Sequence, residues 1–230
     1  KKKRISKDTM EIYAPLADRM GMNRIRDELE DLSFKILNPE ARNLVNERLN
    51  LIKKNYDDTF VEMSKSFTDL LKKANINSKI YGREKTPFSI WIKIQKKKMS
   101  LEQMSDIIGF RIILDNIDDC YKALGLFHKK WHCIPGKFKD YISSPKINNY
   151  QSLHTGIIGP NNRPIEIQLR TSAMHEFAQR GIASHWKYKS SEKFSSLTWR
   201  EYDWLRDLVE IMEKDTNTEH FLEYTKLQMF

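Results

Sequence analysis

The sequence has few cysteines and no long apolar runs. Its 230 residues include only two cysteines, Cys120 and Cys133, and neither lies in a Cys-x-x-Cys pattern. They can therefore form neither a disulfide framework nor that kind of metal site. No apolar run approaches the roughly 18 residues of a membrane-spanning helix. The basic residues 1–4 are not followed by the apolar core of a signal peptide. These absences predict a soluble, cytoplasmic protein that does not associate with membranes.

The charge is distributed unevenly along a chain that is otherwise typical of a folded protein. Hydrophobic residues make up 40% and aromatic residues 11% of the sequence, which excludes wholesale disorder. The net charge of +9 is concentrated in residues 79–98, with +6, and residues 129–146, with +4. Such clusters focus positive potential locally. They indicate a site for a polyanion, although a solvated lysine-rich face would have the same composition.

Residues 1–75 are predicted to be helical because apolar residues recur there at helical spacing. The three stripes are Ile12, Leu16 and Met20; Leu29, Leu32, Ile36 and Leu37; and Phe60, Met63, Phe67, Leu70 and Leu71. Gly21 and Asn38-Pro39 are stop signals between helices. Residues 57–59 offer capping side chains for the start of the last helix. The pattern predicts a small helical bundle.

Strands alternate with helices after residue 75. Residues 107–114 form a short, nearly continuous apolar run, which is typical of a strand covered on both faces. Residues 152–158 and 164–170 flank the turn-forming residues 159–162 and are predicted to form a hairpin. Helical patterns occupy residues 88–98, 118–130 and 172–187. The alternation predicts an α+β domain. The predicted domains are residues 1–75, residues 76–190, and a C-terminal helix with a polar tail at residues 191–230.

A row of polar residues alternates with apolar ones in the second strand of this hairpin. The row consists of Glu166, Gln168 and Arg170. These side chains share one face because successive strand residues point to opposite faces. The hairpin can place Tyr150, Ser152 and His154 beside them. Such a surface could hold a metal and an anion, and the tyrosine ring could stack on a nucleobase. The alternative is an ordinary half-exposed strand with cross-strand ion pairs.

A second set of residues favours phosphate binding. Asp106 opens the apolar strand, and Arg111 lies within it. An isolated carboxylate facing a cleft suits Mg²⁺, which takes one or two protein carboxylates together with phosphate oxygens. Residues 82–85 lead into a helix on which Ser89 and Lys93 share a face. The Gly-x-x-x-x-Gly-Lys loop of P-loop proteins is absent. Together these residues indicate a nucleoside-triphosphate site.

Six segments carry a more specific signal. They are residues 81–85, 105–111, 137–142, 148–155, 166–171 and 181–189. In this order they resemble the Rel/Spo family of alarmone synthetases. Residues 11–17 and 28–34 resemble the stretch that joins the hydrolase domain of that family to its synthetase domain. The chain thus resembles an alarmone synthetase domain preceded by the tail of a hydrolase domain.

The resemblance implies a fold and a reaction. The implied fold is a nucleotidyltransferase-like mixed β-sheet flanked by helices. The implied reaction transfers pyrophosphate from ATP to the 3′-hydroxyl of GDP or GTP, giving guanosine tetra- or pentaphosphate and AMP, with Mg²⁺ as cofactor. Positioning and charge neutralisation dominate such transfers. ATP and GDP or GTP are the expected partners, and ribosome association is not expected without the C-terminal regulatory region of the family.

The resemblance also implies roles for individual residues. Asp106 would bind Mg²⁺, and Glu166 would help to hold the metal and take the proton from the attacking hydroxyl. Arg83 and Arg111 would enclose the adenine. The other implied ligands are Lys85, Ser89 and Lys93 for the ATP phosphates, and Lys139, Lys146, Asn148, Tyr150, His154 and Gln168 for the acceptor, with Tyr150 stacked on the guanine.

The sequence departs from the family pattern at two places. Lys137 stands where the family often has arginine, which keeps the charge but loses the planar bidentate fork. Residues 86–88 differ from a commoner version that contains histidine. The basic segment 137–140 resembles the variant that is associated with GDP as the acceptor. All six histidines lie beyond residue 127, so no metal-dependent hydrolysis of the alarmone is expected from residues 1–75.

Two other functions fit parts of the sequence. A catalytically silent regulatory fragment would bind guanine nucleotides without turning them over. An RNA-binding module would account for the basic stretches and for the tyrosine and tryptophan content. Asp106 and Glu166 favour the enzyme over the silent fragment, and no recognised RNA-binding motif is present.

Overall fold

The computed structural model describes residues 1–97 and 108–181, in which a helical half is followed by a five-stranded sheet. The helices are α1 (Lys2–Asp8), α2 (Ala14–Arg19), α3 (Asn23–Leu37), α4 (Pro39–Lys73), α5 (Pro87–Lys97), α6 (Ile117–Lys130) and α7 (Ser172–Arg180). The strands are β1 (Ser78–Glu84), β2 (Ile108–Leu114), β3 (Lys139–Asp140), β4 (Leu153–Ile158) and β5 (Pro164–Thr171). A π-helical turn, Thr9–Tyr13, joins α1 to α2. Within the described ranges, no helix is long and apolar enough to cross a membrane.

The sheet is mixed and has the order β1-β2-β5-β4-β3. Its central pair, β2 and β5, is parallel, and the other neighbours are antiparallel. The predicted hairpin is confirmed as β4 and β5, with a 3-10 turn at Pro160–Asn162 between them. The α+β class, with a mixed sheet flanked by helices, is therefore confirmed. The helix predicted at 172–187 is shorter than expected, because α7 ends at Arg180 and Gly181 leaves the helical conformation with a φ of 56°. The segment 98–107 and the region predicted at 191–230 lie outside the described residues.

Most of the predicted helix boundaries in the first half are confirmed, and one is wrong. Helices end before Gly21, which has a φ of +72°, and at Asn38. The helix start predicted at residues 57–59 does not exist, because α4 continues through them. Aspartate and threonine cost little in a helix interior. Packing at both ends of α4 outweighs this local signal, since Val45 packs against α5 and Phe67 packs beneath the sheet.

One face of the sheet forms the hydrophobic core with α4 and α6. The buried members of this core from the sheet are Phe110, Ile112, Leu114, Leu153, Ile157, Ile165, Ile167 and Leu169. The helices contribute Met63, Phe67, Leu71, Cys120, Ala123 and Phe127. A division into domains at residue 75 stays a prediction, but a single core crosses that position because the second half of α4 covers the sheet.

The apolar stripe predicted at Leu29, Leu32, Ile36 and Leu37 lies on α3, but part of it is exposed to solvent. Leu32 is 55% exposed and Ile36 is 37% exposed on α3. On α4, Leu44 and Leu51 are also exposed. The helical spacing of these apolar residues therefore predicted α3 correctly. It did not predict which face of α3 is buried in the part of the chain that the structure describes.

Candidate active site

The polar row predicted in the sheet lies on the face opposite the core. Gln168 pairs with His154 on one side and with Arg111 on the other. At the two edges of this row, Lys139 pairs with His154, and Tyr81 pairs with Arg111. Cross-strand partners point to the same face. The alternation predicted for β5 is thus confirmed, and it gathers polar side chains from all five strands.

Glu166 lies between two glycines in the next row of this face. It pairs with Gly109 in β2 and Gly156 in β4. A Cβ at Gly109 would be 2.7 Å from the Glu166 carbonyl oxygen, so no larger residue fits there. The Arg83 guanidinium lies 3.7 Å from Glu166 Oε2, and His154 Nδ1 lies 3.6 Å from Glu166 Oε1. The carboxylate side chain is 20% exposed and remains accessible.

His154 is neutral in this environment. Burial, reinforced by neighbouring cations, lowers the pKa of His154 to about 3. These cations are Arg83, Lys146, Arg170 and Lys139. The contact between His154 and Glu166 is therefore not an ion pair at neutral pH, although the two groups are within ion-pair distance. The other ring nitrogen, Nε2, lies 2.8 Å from the Tyr150 hydroxyl.

Other side chains cover most of the Tyr150 ring, which is only 9% exposed. Lys146 Nζ lies 5.1 Å from its centroid and 4.9 Å from that of Tyr141. The Arg170 guanidinium lies 6.0 Å from the same ring. These are cation–π distances. Stacking of guanine on Tyr150 stays a prediction, and a stacked base would have to replace part of this covering.

Arg170 is a functional candidate to which the sequence assigned no separate role. It is 2% exposed, and its guanidinium donates a hydrogen bond of 2.7 Å to His175 Nδ1. Burial, followed by repulsion from Arg111 and Arg83, lowers the pKa of Arg170 to about 10. Among the residues described, the Nε atoms of Arg170 and Arg111 have no hydrogen-bond partner. Buried cations of this kind favour an anionic ligand.

A cavity of about 1310 Å³ lies between this sheet face and helices α2 and α3. The predicted site residues that line it are Arg83, Arg111, Lys146, Asn148, Tyr150, His154 and Gln168. Arg170 lines it as well. The structure therefore brings seven of the predicted residues into one cleft, and Glu166 lies beside it through its contacts with Arg83 and His154.

Four predicted residues lie apart from the lining of this cavity. Lys139 lies at the sheet edge beside His154. Lys85 follows β1, and Ser89 and Lys93 lie on the first turns of α5. Ser89 and Lys93 share one face of α5, as predicted. Neither residue lines the cavity that the described residues form. Asp106 lies outside the described residues, so its predicted role as a metal ligand stays a prediction.

Thr86, in the segment that departs from the family pattern, caps α5. Its hydroxyl oxygen accepts a hydrogen bond from the Ser89 amide at 3.3 Å and lies 2.9 Å from the Ser89 hydroxyl. A threonine that accepts from the third helical amide is a usual N-cap. The departure at residues 86–88 therefore has a local structural role in starting the helix.

The opposite wall of the cleft comes from helices that the sequence did not connect with the site. Asp18, Arg26 and Asp27 line it, and Arg26 forms hydrogen-bonded ion pairs with both carboxylates. The wall is tied to the sheet domain because the Asn148 side-chain amide donates to the Asp18 carbonyl oxygen at 3.0 Å. In the sequence these charges look like an ordinary solvated helix surface, so no local signal marks them.

Glu30 adds a titrating group to this charged wall. Burial raises the pKa of Glu30 to about 7, and the nearby Asp27 and Asp18 add to the effect against the opposing influence of Arg26. A carboxyl group with a raised pKa in the folded state binds protons that the unfolded chain has released. Its contribution to stability is therefore complete below the usual pKa of 4.5 and is lost as the pH rises through about 7.

We expect Glu30→Gln to change the pH dependence of stability. The free energy of unfolding of the variant, relative to the unchanged chain, should increase as the pH rises from 4.5 to above 7. Urea unfolding across this range measures the difference. His154 and His175 contribute the opposite pH dependence to stability, because their pKa values are lowered. Both proteins share this contribution, so it cancels when the variant is compared with the unchanged chain. Glu28→Gln, at an exposed position of α3, is the control, and parallel curves for Glu30→Gln would contradict the assignment.

The residues present are compatible with Mg²⁺ but do not form a complete protein cage for it. Within residues 1–97 and 108–181, no group of three or more His, Cys, Asp or Glu side chains could hold a metal ion. Glu166 offers one accessible carboxylate beside a cationic cleft. Magnesium commonly binds through one or two carboxylates while phosphates and water complete its shell, so this donor set fits a metal that arrives with a nucleotide.

Several known proteins are similar to this chain. Residues 82–193 match the sequence model described as a region found in RelA/SpoT proteins. The GTP pyrophosphokinase rsh of Brucella melitensis biotype 1 is 45% identical over 237 residues, which cover all of this chain and 31% of that protein. The guanosine-3′,5′-bis(diphosphate) 3′-pyrophosphohydrolase of Aquifex aeolicus is 44% identical over 231 residues, which cover all of this chain and 33% of that protein. The small alarmone synthetase 2 of Bacillus subtilis aligns at a TM-score of 0.49 with 26% identity, covering 74% of this chain and 94% of that one.

The match over residues 82–193 identifies this part of the chain as a region found in RelA/SpoT proteins. The alignments with the curated relatives cover the whole of this chain, so the similarity extends through the upstream helices. The chain therefore carries a RelA/SpoT region and is similar over its whole length to Rel/Spo proteins. It spans about a third of the length of the curated relatives that it matches.

Proposed function

We propose that this chain synthesises guanosine tetra- or pentaphosphate. In the reaction, the 3′-oxygen of GDP or GTP forms a bond to the β-phosphorus of ATP, and the bond from that phosphorus to the AMP oxygen breaks. The observation that carries the proposal is the accessible Glu166 carboxylate between Arg83 and His154, beside a cleft lined with arginines. A base next to phosphate-binding cations is what this transfer needs. Relatives named as GTP pyrophosphokinases support it.

Each group has a distinct task in this proposal. Glu166 accepts the proton of the 3′-hydroxyl as the new bond forms. Arg83 and Arg111 neutralise phosphate charge and position ATP, and Arg170 adds to the positive potential of the cleft. Glu166, together with Asp106, would hold Mg²⁺. When bound, the metal would supply further charge neutralisation at the phosphates.

The direct test is turnover by the purified chain. Incubation with labelled ATP, GDP and Mg²⁺ should give labelled guanosine tetraphosphate and an equal amount of AMP. Binding of GDP without product would favour the silent regulatory fragment. Tight binding of RNA without product would favour the RNA-binding module.

We expect GDP to be used at least as well as GTP. The basic segment 137–140 resembles the variant associated with GDP, and Lys137 lies close to the reaction centre. A Cβ at Gly156, the cross-strand neighbour of Glu166, would be 3.1 Å from Lys137 Cβ. Competition between the two acceptors at equal concentration measures the preference. Lys137→Glu should shift the preference towards GTP, whereas Lys129→Glu, in the same basic stretch but at the end of α6, should not. A clear preference of the unchanged chain for GTP would refute this assignment.

A further inference from the structure

A buried arginine in the cleft is held by a histidine that does not itself line the cleft. Arg170 is 2% exposed and lines the cavity, whereas the lining formed by the described part of the chain does not include His175. The Arg170 guanidinium donates a hydrogen bond of 2.7 Å to His175 Nδ1. Because a guanidinium group has no acceptor, Nδ1 must accept this bond. The imidazole therefore fixes the guanidinium from outside the cleft.

The other nitrogen of this imidazole contacts α7. The ring of His175 is neutral at neutral pH, because burial and repulsion by Arg170 and Arg111 lower its pKa to about 4. Its one hydrogen is then on Nε2, which lies 3.1 Å from the Gln179 side-chain amide. An amide accepts through its oxygen, so a half rotation of the Gln179 amide group completes a second hydrogen bond. The imidazole is thus held between β5 and α7.

A neutral imidazole holds the arginine without removing its charge. Burial lowers the pKa of Arg170 only to about 10, so the guanidinium is charged at neutral pH. Its Nε has no hydrogen-bond partner among the residues that the structure describes. Arg26, on the opposite wall of the same cleft, differs because it is paired with the carboxylates of Asp18 and Asp27. Arg170 therefore keeps both a free donor and its charge for a ligand.

The surroundings of Arg170 favour an anionic ligand. Arg111 and Arg83 also line the cleft, and their charges repel that of Arg170. Buried charges are costly unless an opposite charge compensates for them. A phosphate group offers several acceptor oxygens, which guanidinium groups bind well. The Arg170 guanidinium lies 6.0 Å from the centroid of the Tyr150 ring, to which the resemblance assigns the guanine. This distance places it on the acceptor side of the cleft.

We propose that Arg170 binds a phosphate group of the acceptor nucleotide and that His175 is its positioning residue, which fixes the guanidinium through Nδ1 without neutralising it. A carboxylate at position 175 would hold the arginine equally well but would cancel the charge that the ligand needs. The identity of the nucleotide rests on the proposed function. The role of His175 in phosphate binding does not.

Asparagine and aspartate at position 175 separate the hydrogen bond from the charge. Each can place a side-chain oxygen near the position of Nδ1, but only aspartate is ionised. In buffer without Mg²⁺, the Kd for GDP of His175→Asn should stay within about twofold of the unchanged chain, whereas that of His175→Asp should rise about tenfold. Titration calorimetry measures both values, and urea unfolding checks that the variants are folded. Equal Kd values for the two variants would overturn the proposal.

Ser172→Asp is the control for the added charge. Ser172 is exposed at the start of α7, so this variant gains the same charge on the same helix without contact to Arg170. Its Kd for GDP should stay within about twofold of that of the unchanged chain. An equal loss of binding in Ser172→Asp and His175→Asp would contradict a specific effect on Arg170.

A double-mutant cycle tests whether His175 acts through Arg170. His175→Phe keeps a ring beside Tyr81, which stacks on His175, but it has no acceptor. It should raise the Kd for GDP about tenfold in the unchanged chain, and by less than about twofold in Arg170→Gln, where the arginine is already lost. Additive effects of the two substitutions would overturn the inference. If a phenylalanine variant does not fold, the comparison of asparagine with aspartate still decides it.

Inorganic pyrophosphate separates this inference from the proposed function. It carries phosphate groups without a nucleoside, so His175→Asp should bind it more weakly than His175→Asn does. The absence of this difference would overturn the proposal, and so would an unchanged chain that binds neither GDP nor pyrophosphate. An unchanged chain that binds both but makes no alarmone would refute the proposed function alone, and the Kd values of the variants would still decide the role of His175.

Discussion

Glu166→Gln should lower the rate of alarmone synthesis by about 10²–10⁴-fold, which is the usual contribution of a general base. The amide has nearly the same shape as the carboxylate but cannot take the proton of the attacking hydroxyl. It also removes the negative charge beside a cleft that contains Arg83, Arg111 and Arg170. GDP should therefore bind the variant at least as tightly in buffer without Mg²⁺. Initial rates and equilibrium titration measure the two effects separately.

Glu176→Gln is the control for this substitution. Glu176 is exposed on α7, so its change should affect neither turnover nor binding. Near-full turnover by Glu166→Gln would refute the assignment of the base. Weak GDP binding together with lost turnover would show instead that the carboxylate is needed to build the site.

Gly181→Ala should destabilise the protein more than other substitutions at glycine. Gly181 ends α7 with φ of 56° and ψ of −139°, a conformation that residues with a side chain rarely adopt. Its Cβ would overlap the Met20 carbonyl oxygen and lie 2.8 Å from the Met22 nitrogen, both of which are main-chain atoms. We expect the free energy of unfolding to fall by about 2–4 kcal/mol. Urea unfolding of the purified variant measures this change.

Gly125→Ala is the matched control because it introduces the same methyl group in a helix without strain. Gly125 lies inside α6, and nothing is found within 4 Å of the Cβ that it would gain. Alanine is favoured over glycine in a helix, so this variant should be more stable by about 0.5–1 kcal/mol. Equal stability of Gly181→Ala and the unchanged chain would contradict the close contact between α7 and the turn before α3.

The sheet face of the site could be predicted from the sequence because its signal is local. The alternation of Glu166, Gln168 and Arg170 with apolar residues depends only on the two-residue period of a strand. The hairpin turn then places His154 beside Gln168. The resemblance to the Rel/Spo family supplied the roles of these residues, which no periodicity contains.

The second wall of the cleft could not be predicted, because it depends on contacts between distant parts of the chain. Asn148 was assigned to the acceptor site, yet its amide donates to the Asp18 carbonyl oxygen and its oxygen accepts from the Tyr150 amide at 3.3 Å. Such pairings follow from the docking of α2 and α3 on the loop before β4. The continuity of α4 was missed for the same reason, since its two packing partners lie far along the chain.

The pairing of β2 with β5 joins strands that are made at different times during synthesis of the chain. Gly109 pairs with Glu166, and at about 5–20 residues per second the roughly 60 residues between them take about 3–12 s to be made. During that interval β2 can already pair with β1 and be covered by α4, whose residues precede it. The hairpin of β4 and β5 joins this early unit later. Glu166 is thus synthesised after Arg83 and Arg111, so the positive side of the cleft can form before this carboxylate joins the sheet.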